Sequence, residues 1–505
     1  MHRKLTFFLA LSAVILGASA CTSGSYEFEY LYEGLPFQME KVTRPVIPSR
    51  TVCLADYGAV ADGITLNTEA FATAIEELSA QGGGHLTVPA GIWRTGPITL
   101  LSGIDLHLED NAIILFDSDR SLYPVIDINF EGLDVRRCLS PINATGQKNI
   151  SITGSGIIDG NGEEWRELKK NNASPKVWKQ QIKKGGVYND VGWYPDEGYM
   201  KARATAGSFN LASPEFSEEE IISFLRPVMV SIRECENVLL EGVTFQNSPC
   251  WNLHPLYSKN IIMKGITVRN PSYATNGDGL DLDACENTIL VDSKFDVGDD
   301  AICIKSGKDE DGRAHGIPCK NLIVDNCIVY SGHGGFVVGS EMSGGVENMK
   351  VSNCSFMGTD IGLRFKSTRG RGGVVKNIWC DHIYMKNIIA NAIIFNLHYA
   401  GTSATETPNG VSEEGTPAWV ADETTPEFTG MHFSDIVCNG AASAIFINGL
   451  PEMPVSDMTF KDITISATKG IEVNEARDIS FENVSIITPD GSEPTITNSE
   501  NITVK

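Results

Sequence analysis

The sequence predicts an all-β fold, a single-stranded right-handed parallel β-helix (solenoid) with an N-terminal helical cap and loop insertions. Segments of the form xNhxhxxhxhxx, with h apolar, recur as "ENVLLEGVTFQN", "KNIIMKGITVRN", "ENTILVDSKFDV", "KNLIVDNCIVYS", "ENMKVSNCSFMG" and "KNIWCDHIYMKN". Their asparagines are Asn237, Asn260, Asn287, Asn321, Asn348 and Asn377, in steps of 23, 27, 34, 27 and 29 residues. Short alternating strands at such a period suit coils that bury an inner face only against their neighbours. Hairpin folds would show two-residue Asn-Gly or Asp-Gly loops about every 8–12 residues, and propeller blades repeat at about 40–45. The observed steps fit neither. Asparagine at a fixed corner suits left-handed turns and side-chain ladders between coils.

The N-terminus reads as an export signal. His2, Arg3 and Lys4 precede the largely apolar run Leu5 to Ile15, and "LGASAC" ends at Cys21, the order basic, hydrophobic, small-residue. The run is too short for a membrane span. The ending resembles a bacterial lipobox with Cys21 as the lipidated first residue, although Ala18 stands where leucine is preferred. The same residues also satisfy ordinary cleavage after Ala20, so both processing routes stay open. The expected organisation is a signal peptide over 1–20, a tether or lead-in over 21–49, and the β-helix over 50–495. The destination is the bacterial periplasm, or the outer membrane through Cys21.

Next, "TEAFATAIEEL" has helical periodicity and ends before the "QGGG" breaker, so a helix is expected to cover the open end of the solenoid. The repeat series begins with "NISITGSGIIDG" at Asn149 and continues in the weaker copies "MHFSDIVCNG", "MTFKDITISA" and "ISFENVSIIT". Two insertions break the rhythm, 162–222, polar and aromatic, and 402–427, rich in Thr, Pro, Glu and Gly. In a solenoid such insertions become loops on one face, often the binding face. Cys327 and Cys354 each follow a corner asparagine by six residues, which favours buried stacking over disulfides or metal sites. If Cys21 is acylated, eleven of the twelve cysteines remain, and an odd number cannot all pair. The net charge of -24 and pI near 4.8 argue against a nucleic-acid binder, while local basic residues still allow an anionic ligand.

Chemistry is concentrated at "DVGDDAICIKSG", where Asp299 and Asp300 stand before an apolar run. Alone, the pair reads equally well as an Asp-rich turn. Asp278 in "NGDGLDLD" lies 21 residues earlier, about one coil, and stacked coils are about 4.8 Å apart. His333 follows Asp299 by 34 residues and Arg364 follows His333 by 31, with Lys366 beside it. Three aspartates, a histidine and two cations can thus converge on one patch. Such a patch suits glycoside hydrolysis, in which one carboxylic acid protonates the leaving oxygen and another carboxylate activates the nucleophile or water. The cations suit a substrate carrying its own carboxylate.

With "NGDG" (Asn276 to Gly279), "GDD" (Gly298 to Asp300), "GHG" (Gly332 to Gly334) and "RFK" (Arg364 to Lys366) in order, the chain resembles the polygalacturonases of glycoside hydrolase family 28. The N-terminal "DYGAVADG" and "VPAGIW" resemble the start of pectin-degrading β-helix enzymes. The resemblance covers roughly residues 50 to 490, and four ordered motifs are far more specific than any one. Gly277 and Phe365 depart from the usual Thr and Ile.

What the resemblance implies is an exported, monomeric enzyme that hydrolyses α-1,4 galacturonosidic linkages in pectic polysaccharide or oligogalacturonides, without cofactor or metal. Asp299 would be the general acid, and Asp278 and Asp300 would hold the attacking water, giving inversion. His333 would tune Asp299, and Arg364 and Lys366 would bind the galacturonate carboxylate, with Asn276 in the same binding set. Inversion demands carboxyl groups about 6.5–9.5 Å apart, against about 5–5.5 Å for retention. His254, about one coil before Asp278, could floor the sugar site, Lys305 could reach the cleft, and Tyr399 falls on the same face as Lys366. Each of these three has a structural reading as well. Trp193, Tyr194 and Tyr199 are expected to bring the first insertion to a sugar ring. That insertion, large enough to wall off one end of a cleft, favours exo cleavage releasing galacturonic acid. The rivals are a rhamnogalacturonan or other pectin-backbone hydrolase, a β-helix polysaccharide lyase using Ca²⁺, and a non-catalytic carbohydrate-binding β-helix. The Asp trio with G-H-G and R-x-K argues against each.

Overall fold

A computed structural model describes residues 26–205, 216–399, 410–411, 417–491 and 493–505. The signal segment, Cys21 and half of the second insertion lie outside the described residues. The chain divides into two compact units, residues 1–36 and 37–505. The first carries a short helix, Glu29–Tyr32. The second is the solenoid.

Its strands form one sheet of 32, from Thr51–Cys53 to Glu500–Val504, and among the described residues each pairing in it is parallel, as in Lys259–Lys264 against Glu286–Val291. Three strands per coil recur in the middle of the molecule. One coil runs Glu286–Val291, Lys294–Asp296, Asp300–Lys305, and the next runs Cys319–Asp325, Ile328–Ser331, Gly334–Val338. Register stacks like on like. Leu106, Ile152, Leu240, Met263, Leu290, Val324, Val351 and Cys380 form one buried column, which continues through Phe433, Phe460 and Phe481. Each coil repeats the apolar pattern because an inner face left without a neighbour would stay in water. All eleven cysteines among the described residues are free thiols, and ten are buried. Burial in apolar columns pushes thiols such as Cys327 well above their usual value.

The corner asparagines hold the coils in register. Asn149, Asn237, Asn260, Asn287, Asn321, Asn348 and Asn377 all take left-handed φ between 53 and 60°. From Asn237 onward each Nδ2 donates to the Oδ1 of the asparagine one coil earlier, at 2.9–3.4 Å. Asparagine tolerates this conformation and its amide is both donor and acceptor, so one residue type serves turn and ladder.

The cap is the helix Thr68–Ala80, which buries Phe71, Ala74, Ile75 and Leu78, a single stripe, in the same core as Leu86 and Ile104. The first insertion builds a small antiparallel sheet, Leu168–Lys169 with Gly192–Tyr194 and Val187–Tyr188. Trp193, Tyr194 and Tyr199 are only 3, 7 and 0% exposed. Tyr194 and Tyr199 pack with Tyr123, Trp165 and Phe224, and Trp193 Nε1 donates to the Gly185 carbonyl at 2.7 Å. The expectation that these aromatics meet a sugar ring is therefore corrected, because an insertion this long needs a core of its own. Among the elements that the sequence reading does not contain are the antiparallel hairpin Val125–Phe130 with Leu133–Cys138 and the short helix Asp309–His315.

Candidate active site

Asp278, Asp299 and His333 leave the same corner, where the chain passes from strands such as Lys294–Asp296 to strands such as Asp300–Lys305. Leu280 lies opposite Ile302 and Ile302 opposite Phe336. Asp278 therefore falls beside Asp300, and the Gly279 amide donates to the Asp300 carbonyl at 2.9 Å. His333 stacks on Asp299, its amide donating to the Asp299 carbonyl at 2.8 Å. Arg364 does not stack on His333. It lies opposite Val337, which lies opposite Cys303, and reaches the patch through the length of its side chain.

One carboxylate oxygen each from Asp278, Asp299 and Asp300 lies within 4.8 Å of the others. The gap of about 6.5–9.5 Å expected between two inverting carboxyls is not present between these nearest oxygens. Such a cluster could geometrically meet a cation, but the protein supplies its own. Lys366 Nζ donates to Asp300 Oδ2 at 2.7 Å and Arg364 Nη1 to Asp300 Oδ1 at 3.2 Å. Burial alone would raise the Asp300 pKa, yet Lys366 and Arg364 outweigh it and hold this carboxyl well below the usual range. Asp300 is thus a fixed carboxylate, 2% exposed.

Its neighbours differ. Asp278 is buried, with Oδ1 lacking a hydrogen-bond partner. Burial, then the charges of Asp281 and Asp299, raises its pKa well above the ordinary value. The Asp299 side chain is 25% exposed, and its Oδ1 accepts from the Asp300 amide at 3.0 Å and lies 3.0 Å from His333 Nδ1. That contact with Asp299 raises the His333 pKa, against the opposing effect of burial. Three adjacent carboxyls therefore occupy three electrostatic settings, the condition for separate acid and base roles.

The departures from the usual motifs have local reasons. Phe365 points into the core and stacks on Phe395 at 4.5 Å, while Arg364 and Lys366 alternate outward. At Gly277 an added Cβ would come within 2.6 Å of the Ala274 Cβ, so a threonine would need this turn rebuilt.

Among the other expected residues, Tyr399 lies where the periodicity puts it, 43% exposed, with its ring 4.8 Å from Lys366 Nζ and 5.4 Å from Arg364 Cζ. Asn276 Oδ1 accepts from Arg226 Nη2 at 2.8 Å. His254 does not floor the patch with an open surface. It is 1% exposed, with Nε2 3.4 Å from Asp283 Oδ2 and its ring against Trp251. Lys305 is likewise under the surface, 4% exposed, donating to Glu341 Oε2 at 2.9 Å, 3.6 Å from Asp281 Oδ1 and over the Trp251 ring at 4.7 Å. Two acidic residues here were missed. Asp281 was hidden inside the quoted "NGDGLDLD", where strand alternation from Asp283 already put it on the same outward face. Glu341 follows no motif and is found only through Lys305.

Two additions border the patch on the preceding coils. The hairpin 125–138 and the 162–222 insertion both leave the corner that carries Asp278 and Asp299. The insertion's Arg166 donates to the Ser248 carbonyl at 2.8 Å, and Arg226 just beyond it to the Thr275 carbonyl at 2.9 Å. Phe130 of the hairpin packs on Trp251 at 4.7 Å.

Comparison with known proteins supplies independent footing. The model for glycosyl hydrolases family 28 matches residues 223–469, a span that contains all four motifs. A probable polygalacturonase of Vitis vinifera is 30% identical over 427 residues, covering 83% of this chain and 74% of that protein. An exo-poly-alpha-D-galacturonosidase of Dickeya chrysanthemi is 28% identical, covering 88% of this chain and 72% of that one. The crystal structure of a hyperthermoactive exopolygalacturonase from Thermotoga maritima superposes with a TM-score of 0.71 at 32% identity, covering 88% of this chain and 94% of that one.

Proposed function

The chain belongs to glycosyl hydrolases family 28, and from that premise we propose that it hydrolyses α-1,4 galacturonosidic linkages in pectic chains, acting from one end to release galacturonic acid. The observation that carries the reading is the separation of three neighbouring carboxyls into a partly exposed one beside a histidine, a fixed carboxylate and a buried one. Asp299, with surface to reach the leaving oxygen, donates the proton. Asp300 and Asp278 hold the water, and Asp278 accepts its proton as the new bond to the anomeric carbon forms and the glycosidic bond breaks. Arg364, Lys366 and Tyr399 meet the galacturonate ring and its carboxylate. Both cations are paired with Asp300, and the more exposed Arg364 makes the first contact.

Inversion is kept although the nearest oxygens are close. The resemblance to the family supports it, and the anomer released first decides it. Exo action is supported by the hairpin and insertion crowding one side of the patch and by the exo-acting relatives. Export fits a polymeric substrate, with residues 1–20 removed, 21–49 leading into the β-helix, and Cys21 as the lipid anchor of a bacterial outer-membrane protein.

Chromatography of the earliest products from polygalacturonate tests this reading. Galacturonic acid is expected as the first product, and a ladder of oligomers overturns exo action. Proton NMR of freshly released product should show the β-anomer first, and α-anomer first overturns inversion. Radiolabelled palmitate should enter the wild type and not Cys21→Ser, and no label in either leaves ordinary signal cleavage.

A further inference from the structure

Asp281 is a buried carboxyl that the mechanism above leaves without a task. It is 0% exposed, and neither of its oxygens has a hydrogen-bond partner among the described residues. A buried ionised carboxylate without donors is strongly disfavoured, so a group placed this way is either neutral or held by charge. The cation nearest to it is Lys305, at 3.6 Å, itself anchored by Glu341.

We propose that Asp281 is a positioning residue for the hydrolytic reaction, a buried carboxyl that together with Lys305 sets the charge on Asp278 and so its readiness to take the water proton. The proposal rests on the reading of Asp278 as the base. Around Asp281 stand Asp278 and Asp283 from its own strand and the turn before it, and His254, held by Asp283. Asp299, Asp300, Cys303 and Lys305 stand on the following coil, with Glu341 beyond Lys305. Asp300 is committed to Lys366 and Arg364 and cannot shed its charge. Within this cluster Asp278 and Asp281 are the two buried carboxyls with unpartnered oxygens among the described residues. Two such groups in one low-dielectric site titrate as a pair, with one ionised at the expense of the other. The raised pKa of both, caused by burial first and by their neighbours' charges next, agrees with this.

In the working state Asp278 is the carboxylate, and Asp281, beside Lys305, carries part of the pair's negative charge, which opposes ionisation of Asp278. When Asp278 receives the proton of the attacking water, the pair holds one proton more. One is then lost to solvent as Asp299 regains the proton it gave to the leaving oxygen, so the cycle returns with protons balanced.

The test is the pH profile of kcat/KM on polygalacturonate for wild type, Asp281→Asn and Lys305→Gln, each checked for folding by circular dichroism. Asp281→Asn removes a competing acid, so Asp278 ionises more readily and the acid limb moves to lower pH. Lys305→Gln removes the cation, so the limb moves to higher pH. On that limb the variant-to-wild-type rate ratio should differ from its plateau value by about threefold or more, in opposite senses for the two variants. If either limb overlays the wild type, or both move the same way, the inference is overturned while the assignment of Asp299 and the polygalacturonase reading stand. If one variant fails to fold, the other decides alone. A wild type that releases no galacturonic acid overturns the underlying reading and the inference with it.

Discussion

Replacing Asp299 by asparagine separates proton donation from everything else that this side chain does. Its Oδ1 accepts from the Asp300 amide at 3.0 Å, and an asparagine Oδ1 can accept the same bond. The side chain is 25% exposed, so little burial changes, and folding stability should stay within about 0.5 kcal/mol of wild type. What is lost is a transferable proton. General acid catalysis contributes about 10²–10⁴-fold, equivalent to about 2.7–5.4 kcal/mol of barrier at 1.36 kcal/mol per factor of ten. The assay is reducing-sugar release from polygalacturonate under single-turnover conditions, beside an aryl galacturonide whose leaving group needs no proton. Asp299→Asn should lose about 10²–10⁴-fold on the polymer and much less on the activated substrate. Near wild-type release from the polymer would falsify the assignment. Equal loss on both substrates would show that Asp299 does something other than donate a proton.

Lys366→Met leaves the buried Asp300 carboxylate without its 2.7 Å partner, which should cost about 3–5 kcal/mol in chemical denaturation and lower kcat/KM, and a loss under about 1 kcal/mol would contradict the pairing. His333 has a raised folded pKa, so its charged form contributes stability that is full below the unfolded value of about 6.5 and is lost as pH rises through the folded value. The wild type should therefore be more stable than His333→Gln at low pH and converge with it at higher pH, and a gap that grows with pH would reverse the assignment. Asn321→Ala removes ladder bonds of 2.9 and 3.0 Å and forces alanine into φ near 60°. The cost should be about 3 kcal/mol, at about 1 kcal/mol for each bond and about 1 kcal/mol for the turn. Activity should survive at temperatures where the variant is folded, since residue 321 lies far along the coil from Asp299.

The corner asparagines show how much of the fold could be read directly. Their spacing marks the coils, and because each coil repeats the last, the pattern in one dimension is almost the structure in three. The same logic carried Asp278, Asp299 and His333 to one corner. It also carried Arg364 to the patch, where it meets Asp300 at 3.2 Å, but counting residues could not give its register, because a strand pairing opposite Val337, and not the loop before it, sets where it lies. It also misread Trp193, Tyr194 and Tyr199, since an insertion has no repeat to show which way its aromatics face.

What the sequence by itself determined was the periodic part, which is the solenoid, the stacking of its columns and the outward alternation of Arg364 and Lys366 around Phe365. Those follow from local rules of strand alternation and turn conformation, which need no knowledge of distant residues. Only the tertiary structure decided the electrostatic identity of the carboxyls, because that depends on which charges end up within a few ångströms. Asp278, Asp281, Asp299 and Asp300 are the same residue type in neighbouring coils. The fold gives one of them two cations, one a histidine and solvent, and leaves two buried with oxygens unpartnered.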